Sequence, residues 1–318
     1  LLVALPPRMR PGSYWTITRI TLQVLLPMGV LILLSTVLYH HIMNPLRELD
    51  AATQAFSNGN YLVRVKEQLG SRDDELAHLS QTFDSMADHI GDLIMRQRQL
   101  ITDLSHELRT PLTRLDIATE TLLTTDKADA ETLQRNLSRV HRESAHIRKL
   151  VDDTLTLSWL ENEQPDLRNE SVDIAELIGI IVEDARFEYP DRTLVVNMPG
   201  SAIIENTNHR ALGQAIENIL RNALRYTPAG LDVIVDLIAS ESGYEIHVSD
   251  KGPGVPDQHL RAIFRPFYRV EKSRPTDGSS FGLGLALAQR QLKAICASIK
   301  ADNLAQGGLK VSIQLPHR

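Results

Sequence analysis

Cysteine is almost missing from this chain, with Cys296 alone among 318 residues. One thiol excludes a disulfide within the chain and any cysteine-clustered metal site, and its simplest reading is a small buried hydrophobe in a reducing compartment. A basic surplus is missing as well, since 34 Lys and Arg stand against 40 Asp and Glu for a net charge of −6. Without a strongly basic face, direct nucleic-acid binding is not expected, and any affinity for phosphate must come from local geometry. The glycine pairs Gly252/Gly254 and Gly282/Gly284 fit neither the dinucleotide fingerprint nor the P-loop spacing. The length allows two or three domains.

Charge is absent altogether from Ile20 to Tyr39, twenty residues reading ITLQVLLPMGVLILLSTVLY. At ~1.5 Å per residue, a helix of that length matches the ~30 Å hydrocarbon layer, so a membrane span is expected. Pro27 and Gly29 are tolerable there, and the arginines at 8, 10 and 19 do not settle the orientation. The chain opens on Leu1, and a further N-terminal portion carrying the sensed stimulus is expected to precede it.

After the span, Ile42, Leu46, Leu49 and Phe56 continue a helical stripe that stops at the turn signal SNGNY. A second stripe follows through Leu76, Leu79, Phe83, Met86, Ile90 and Leu93, with Ser71 and Asp74 as a capping box. Two short amphipathic helices cannot bury their stripes alone, which implies a parallel bundle with a second copy. Pro45 and DDEL at 73–76 resemble the HAMP signal-relay module.

The stretch ITDLSHELRTPLTRL places leucines at 100, 104, 108, 112 and 115 on one helical face. His106 is rotated by roughly 200° from Leu104 and should stand in water. Glu107 supplies an adjacent carboxylate. Pro111 lies inside the helical pattern and removes the hydrogen bond to the carbonyl of residue 107. The apolar phase slips here from 107 to 108, a stutter that locally unwinds a left-handed coil. A second helix with Leu133, Leu137, Val140, Ile147 and Val151 closes an antiparallel hairpin, and two hairpins make a dimeric four-helix bundle. From about Ser171 the texture becomes α/β: LDVIVDLIA and YEIHVSD alternate as strands, while 208–225 and 282–295 read as helices.

Four stretches of this last domain carry chemistry. ENILRNALRY sets Asn218 and Asn222 on one helical face, where amides can orient phosphate oxygens and complete the shell of Mg²⁺. DKGPGVP ends a strand with Asp250, a carboxylate able to accept from an exocyclic amine, and follows it with Gly252 and Gly254, which let backbone approach a flat ring. FGLGLALA opens a helix with Gly282, Leu283, Gly284 and Leu285, where free N–H groups favour phosphate. Between them FRPFYRVEKSRPTDGSS reads as a long polar lid.

In this order the motifs resemble those of the sensor histidine kinases of two-component systems. HELRTPL is similar to their phosphoacceptor box, ENILRNA to the N box, DKGPG and FGLGLALA to the two glycine boxes, and FRPFYR to the F box. The resemblance implies a multidomain chain: 1–19 as the end of an extracytoplasmic region, a transmembrane helix at 20–39, an all-α HAMP linker at 40–93, a dimerisation and phosphotransfer hairpin at 94–163, and an α/β (α+β) sandwich of Bergerat type at 171–318. It further implies that His106 takes a phosphoryl group from ATP and passes it to an aspartate of a response regulator's receiver domain. Asp250 would take the adenine amine, Asn222 the Mg²⁺, and Arg225 with Tyr226 the phosphates and nucleoside. Glu107 and Thr110 would serve proton transfer and the reverse, phosphatase reaction. The implied setting is a homodimer in the bacterial inner membrane, with the HAMP and kinase domains in the cytoplasm.

Two departures stand out. Cys296-Ala297 occupies a place where the family often has two glycines, and Ser279-Ser280-Phe281 precedes the second glycine box. The acid often found before the N box has no clear counterpart in IENTNHR. A stand-alone ATPase of the gyrase and Hsp90 type, or a receptor with a decayed nucleotide site, is the alternative. The first leaves HELRTPL without a role, and the second is hard to square with intact Asn222, Asp250 and glycines.

Overall fold

The computed structural model describes residues 19–66, 73–124, 130–162, 167–270 and 281–317. The chain divides into two compact units, Leu1–Gln99 and Leu100–Arg318. The proposed capping residue Ser71, most of the lid and the first eighteen residues lie outside the described residues.

In the first unit, α1 (Leu26–Leu38) and α2 (Asn44–Ser57) are each preceded by a π-helical turn, Thr21–Leu25 and Tyr39–Met43. Each turn has a local cause. A proline ring clashes with the carbonyl four residues back, and for Pro27 and Pro45 those carbonyls belong to Gln23 and His41, both inside the widened turns. Among the described residues one helix, Thr21–Ser57, is long and apolar enough to cross a membrane, and none of its 18-residue apolar window is buried. A small core follows: Ala52, Val65, Phe83 and Ala87 pack with Leu49, Phe56 and Val63. The connector is held by side chains, because Asp84 accepts from the N–H groups of Val65 (2.8 Å) and Lys66 (3.0 Å) while Arg64 pairs with Asp88. Asp74 caps the next helix, its Oδ1 accepting from Ala77 N–H at 3.1 Å.

That helix, α3 (Glu75–Thr124), passes Pro111 without interruption. Within the second unit it packs against α4 (Ala130–Asn162). The antiparallel register is set by Arg114–Glu143 at 3.8 Å and by a cluster uniting Leu100, Leu104 and Leu108 with Leu150 and Leu157. The expected stripe of α4 is one of two. Val140 and Ile147 are half-buried while Leu133, Leu137 and Val151 remain exposed in the single chain, and the side buried within it is Glu143, Leu150, Thr154, Leu157 and Leu160. Two apolar stripes share this helix, and periodicity detected the outer one.

The α/β part holds β1 (Glu170–Asp173), α5 (Ile174–Glu188), β2 (Thr193–Asn197), β3 (Ile203–Thr207), α6 (His209–Tyr226), β4 (Asp232–Ser240), β5 (Gly243–Ser249), α7 (Gly284–Ala294), β6 (Ser298–Asn303) and β7 (Leu309–Pro316). A five-stranded sheet runs β2-β4-β5-β7-β6, parallel only between β2 and β4, with β1 and β3 as a separate antiparallel pair. Alternation puts Val233, Val235, Ile246, Val248, Val311 and Ile313 inward against Leu212, Ile216, Ile219 and Leu220 of α6. Helix α7 also meets the hairpin. Phe281, Leu283 and Leu287 join the Leu150–Leu157 cluster, His146 stands edge-on to Phe281 at 6.4 Å, and Arg290 gives Nε (2.9 Å) and Nη2 (2.7 Å) to one oxygen of Glu161.

Cys296 is exposed, which corrects the buried reading. It occupies the turn from α7 to β6 at φ +58°, a left-handed backbone that glycine adopts at less cost, and Ile295 fills the core in its place.

Asp173 joins three elements. Its carboxylate accepts from the Ser201 hydroxyl (2.7 Å) and the N–H groups of Ala202 and Ala175 (both 3.0 Å), the last as the N-cap of α5. The Ser201 hydroxyl, then these amides, hold its carboxyl below the usual carboxylate range. A lowered folded pKa means that the unfolded state takes up protons first, so the contribution is present above the ordinary value and is lost as pH falls through the folded one. Asp173→Ala should therefore lower the urea midpoint at neutral pH and flatten the acid limb of midpoint against pH. Parallel curves for the two proteins would contradict this role.

Candidate functional site

His106 is exposed on α3, while Leu104 and Leu108 on the opposite side enter the cluster shared with Phe281 and Leu283. Glu107 is half-buried and Thr110 exposed, one turn beyond the histidine. The imidazole is thus open to an incoming group on a helix that packing holds from behind. The structure does not bring the nucleotide stretches to it, since the second glycine stretch reaches the hairpin through the cluster on the other side of α3.

Those stretches do converge on one another. Gly284, the first residue of α7, faces Asn218, and a Cβ there would be in ordinary contact with the Asn218 Oδ1 at 3.5 Å. The first glycine turn closes on the other end of α6, where a Cβ on Gly252 would stand 2.8 Å from the carbonyl oxygen of Tyr226. Asn218, Asn222 and Arg225, at i, i+4 and i+7, follow one side of α6 between these contacts, all half-buried, and Tyr226 is exposed at its end. Gly254 and Gly282 adopt φ +71° and +74°, where a side chain would be strained. Leu283 is buried in the cluster shared with the hairpin and Leu285 half-buried against the α/β core, so these two anchor the turn on two different surfaces.

Asp250 is only 5% exposed. Its Oδ1 accepts from the N–H groups of Gly252 (2.8 Å) and Leu309 (3.0 Å), and its own N–H donates to the Leu309 carbonyl at 2.9 Å. Among the described residues no side chain pairs with this carboxylate. Oδ2 is left as an acceptor without a partner among the described residues. Burial pushes the carboxyl above its usual range, partly offset by the two amides.

A divalent ion finds few anionic ligands here, because no group of three or more His, Cys, Asp and Glu suited to a metal occurs among the described residues. The amides of Asn222 and Asn218 fit a hard cation that takes its remaining oxygens from substrate phosphates and water. Residues that the motifs did not signal complete the frame. Asn303 at the end of β6 donates to the Val255 carbonyl (2.6 Å) and to Asp257 (2.9 Å), and accepts from Val255 N–H (3.0 Å). Gly308 passes so near Asp250 that only a hydrogen fits. The pair Gly307-Gly308 is a visible turn signal, whereas Asn303 has none.

Comparison with known proteins agrees with this geometry. Residues 207–318 match the family of histidine kinase-, DNA gyrase B- and HSP90-like ATPases, 96–163 the His Kinase A (phospho-acceptor) domain, and 37–92 the HAMP domain. Sensor protein PfeS of Pseudomonas aeruginosa is 33% identical over 319 residues, covering 99% of this chain and 69% of that protein. Sensor histidine kinase CpxA of Escherichia coli K12 is 32% identical over 275 residues, covering 86% of this chain and 58% of its own length. Among solved structures, full-length ShkA in complex with AMPPNP aligns with a TM-score of 0.50 at 27% identity, covering 69% of this chain and 45% of that one. Acinetobacter baumannii histidine kinase AdeS, at 24% identity, TM-score 0.53, and coverage of 67% and 98%, shares the fold. An ATP-binding α/β domain, a phospho-acceptor hairpin and a HAMP segment in one chain, with relatives aligned along nearly all of it, make this protein a member of the sensor histidine kinases of two-component systems, ATP-dependent enzymes that phosphorylate a histidine of their own.

Proposed function

We propose that His106 is the phosphorylated residue and that the nucleotide lies between Asp250 and the start of α7. The observation that carries this reading is the exposure of His106 on a helix whose opposite side is locked into the hairpin. A neutral imidazole nitrogen attacks the γ-phosphorus, the bond to the bridging oxygen breaks, and ADP leaves with the electron pair. Glu107 holds the proton of the other ring nitrogen as positive charge develops. Asp250 accepts the adenine amine at Oδ2, Arg225 and Tyr226 face the phosphates and nucleoside, and the N–H groups opening α7 meet phosphate oxygens. Asn222, with Asn218 beside it, would hold a Mg²⁺ ion, which supplies charge neutralisation on the phosphates.

The phosphoryl group then passes to an aspartate of a receiver domain docked on the hairpin. Thr110 and Glu107 orient a water for the reverse, hydrolytic reaction. The exposed apolar residues Leu133, Leu137, Val151 and Leu155 of α4, and Leu79, Met86 and Leu93 of α3, support pairing with a second copy. The apolar helix from Thr21, with the HAMP match after it, supports a membrane anchor, and we assign the chain to the bacterial inner membrane with the HAMP and kinase parts in the cytoplasm. The chain spans 69% and 58% of the lengths of the two curated relatives above.

Asp250 separates binding from folding. Its raised pKa means that the folded state holds the proton longer, so stability without nucleotide falls as pH rises through the window between the ordinary and the folded values. Asp250→Asn should weaken ATP and ADP alike in calorimetry, yet leave the nucleotide-free protein at least as heat-stable as wild type at neutral pH. Unchanged ADP affinity, or a large fall in Tm, would contradict this assignment.

His106→Gln should abolish acid-labile, alkali-stable label from γ-labelled ATP while nucleotide affinity persists; label on the variant would remove His106 from the reaction. Thr110→Ala should autophosphorylate near normally but dephosphorylate the regulator at least ~10-fold more slowly, equivalent to about 1.4 kcal/mol of barrier. Single-turnover decay with ADP present measures this, and equal decay with both proteins would exclude Thr110.

A further inference from the structure

The two glycine turns of the nucleotide site come from distant parts of the sequence, yet one run of contacts links them. It starts at Asn303, whose amide grips Val255 and Asp257 just beyond the first turn. Asp257 opens the 3₁₀ turn Asp257–His259, so the same amide fixes where His259 stands. The Nδ1 of His259 shares a hydrogen bond of 2.5 Å with the hydroxyl of Tyr268, the two rings lying 5.9 Å apart. Both side chains are half-buried, and Tyr268 packs against the core. The backbone beside Tyr268 then meets the second turn. Phe267, held at φ +60°, donates its N–H to the Gly282 carbonyl at 3.0 Å. A Cβ on Gly282 would be 3.0 Å from the Tyr268 carbonyl oxygen and from the Phe267 carbonyl carbon, so the two backbones lie in direct contact.

Two links in this run join side chain to side chain: Asn303 to Asp257, where the same amide also grips the Val255 backbone, and His259 to Tyr268. Among the described residues no backbone hydrogen bond backs up the second, whereas the remaining links run through backbone or core packing. Loss of the His259–Tyr268 bond would leave both turns folded but free to shift relative to each other.

We propose that His259 and Tyr268 form a clasp that positions the Gly282–Gly284 turn at a fixed distance from Asp250, so that a nucleotide seated by its base presents its phosphates to the start of α7. They are positioning residues, acting through the backbone of Phe267 and Gly282. The inference rests on the nucleotide site proposed above and deepens it. Its consequence is selective, because a ligand without phosphates reads only the Asp250 end and does not sense the clasp, whereas a ligand with phosphates needs both ends in register.

The test uses the full chain in detergent micelles and measures dissociation constants for adenosine, ADP and ATP. Tyr268→Phe deletes one hydroxyl, His259→Leu deletes the ring nitrogens, and His259→Asn keeps a hydrogen-bonding atom in the place of Nδ1. Tyr268→Phe and His259→Leu should each weaken ADP and ATP about 5- to 10-fold, the worth of one hydrogen bond, with adenosine within about twofold. The double variant should be no worse than the poorer single one, as expected for two halves of one interaction, and His259→Asn should recover most of the loss. A uniform loss across all three ligands with a lowered Tm would mean that the pair only supports the fold, and would overturn the proposal. Additive losses, or unchanged affinity for every ligand, would do the same. Asp250→Asn is the companion measurement: if it leaves adenosine binding intact, the nucleotide-site reading itself fails and the clasp falls with it. If it weakens adenosine while the clasp variants behave as wild type, the clasp alone is wrong.

Discussion

A carboxylate almost wholly out of water is tolerated only where hydrogen-bond donors are already in place to receive it. Asp250 imposes that requirement on the α/β part of the chain. Two backbone N–H groups supply it, one from the first glycine turn and one from the first residue of β7. To deliver them, β7 must run beside the end of β5, Gly308 must pass where no side chain fits, and Gly252 must fold back under the end of α6. The sheet order, the close glycine and the position of the N-box helix are thus linked to one acidic group. The arrangement leaves a single carboxylate oxygen without a partner among the described residues, and a donor from a flat heterocycle suits it.

The framework around this point is built from weak parts that gain strength by sharing. Helix α6 contributes Leu212, Ile216, Ile219 and Leu220 to the sheet while presenting Asn218 and Asn222 from its remaining face. Burial of the first set fixes the azimuth of the second, because a helix cannot turn its polar side without lifting its apolar side out of the core. The same holds at α3. Leu104 and Leu108 are engaged behind the helix, and His106 is consequently held forward.

Patterns that repeat, such as the leucines at 100, 104 and 108 and the alternation of β4 and β5, were legible in the sequence because periodicity reports burial, although Leu112 of the same stripe is exposed in the single chain. The chemistry-bearing motifs were legible because their order is shared with a known family. Other features carry no periodic trace. Helix α4 bears two apolar stripes, and counting found the outer one although Leu150 and Leu157 make the inner contact. Cys296 was read from residue type, whereas the left-handed backbone of its turn decides its exposure. Asn303 joins β6 to the first glycine turn across 48 residues, and no local pattern encodes a partner that distant. The π turns before Pro27 and Pro45 follow from a steric clash that the prolines do announce, although the form of relief was not legible.

The segment from Phe281 to Leu287 belongs to two surfaces at once. Its glycines lie against Asn218 and the Phe267–Tyr268 backbone, where we propose the nucleotide's phosphates, and its large apolar side chains are seated among the leucines of the hairpin. Seven residues therefore carry two separate selective pressures with almost no position left to vary. Substitutions that retune the fit against the hairpin will register as altered nucleotide handling, and the reverse will hold too. Across divergent relatives, change in this stretch should be slow and matched by compensating change at positions equivalent to Leu150 and Leu157, so that drift in the two halves of the enzyme is inherited as a pair.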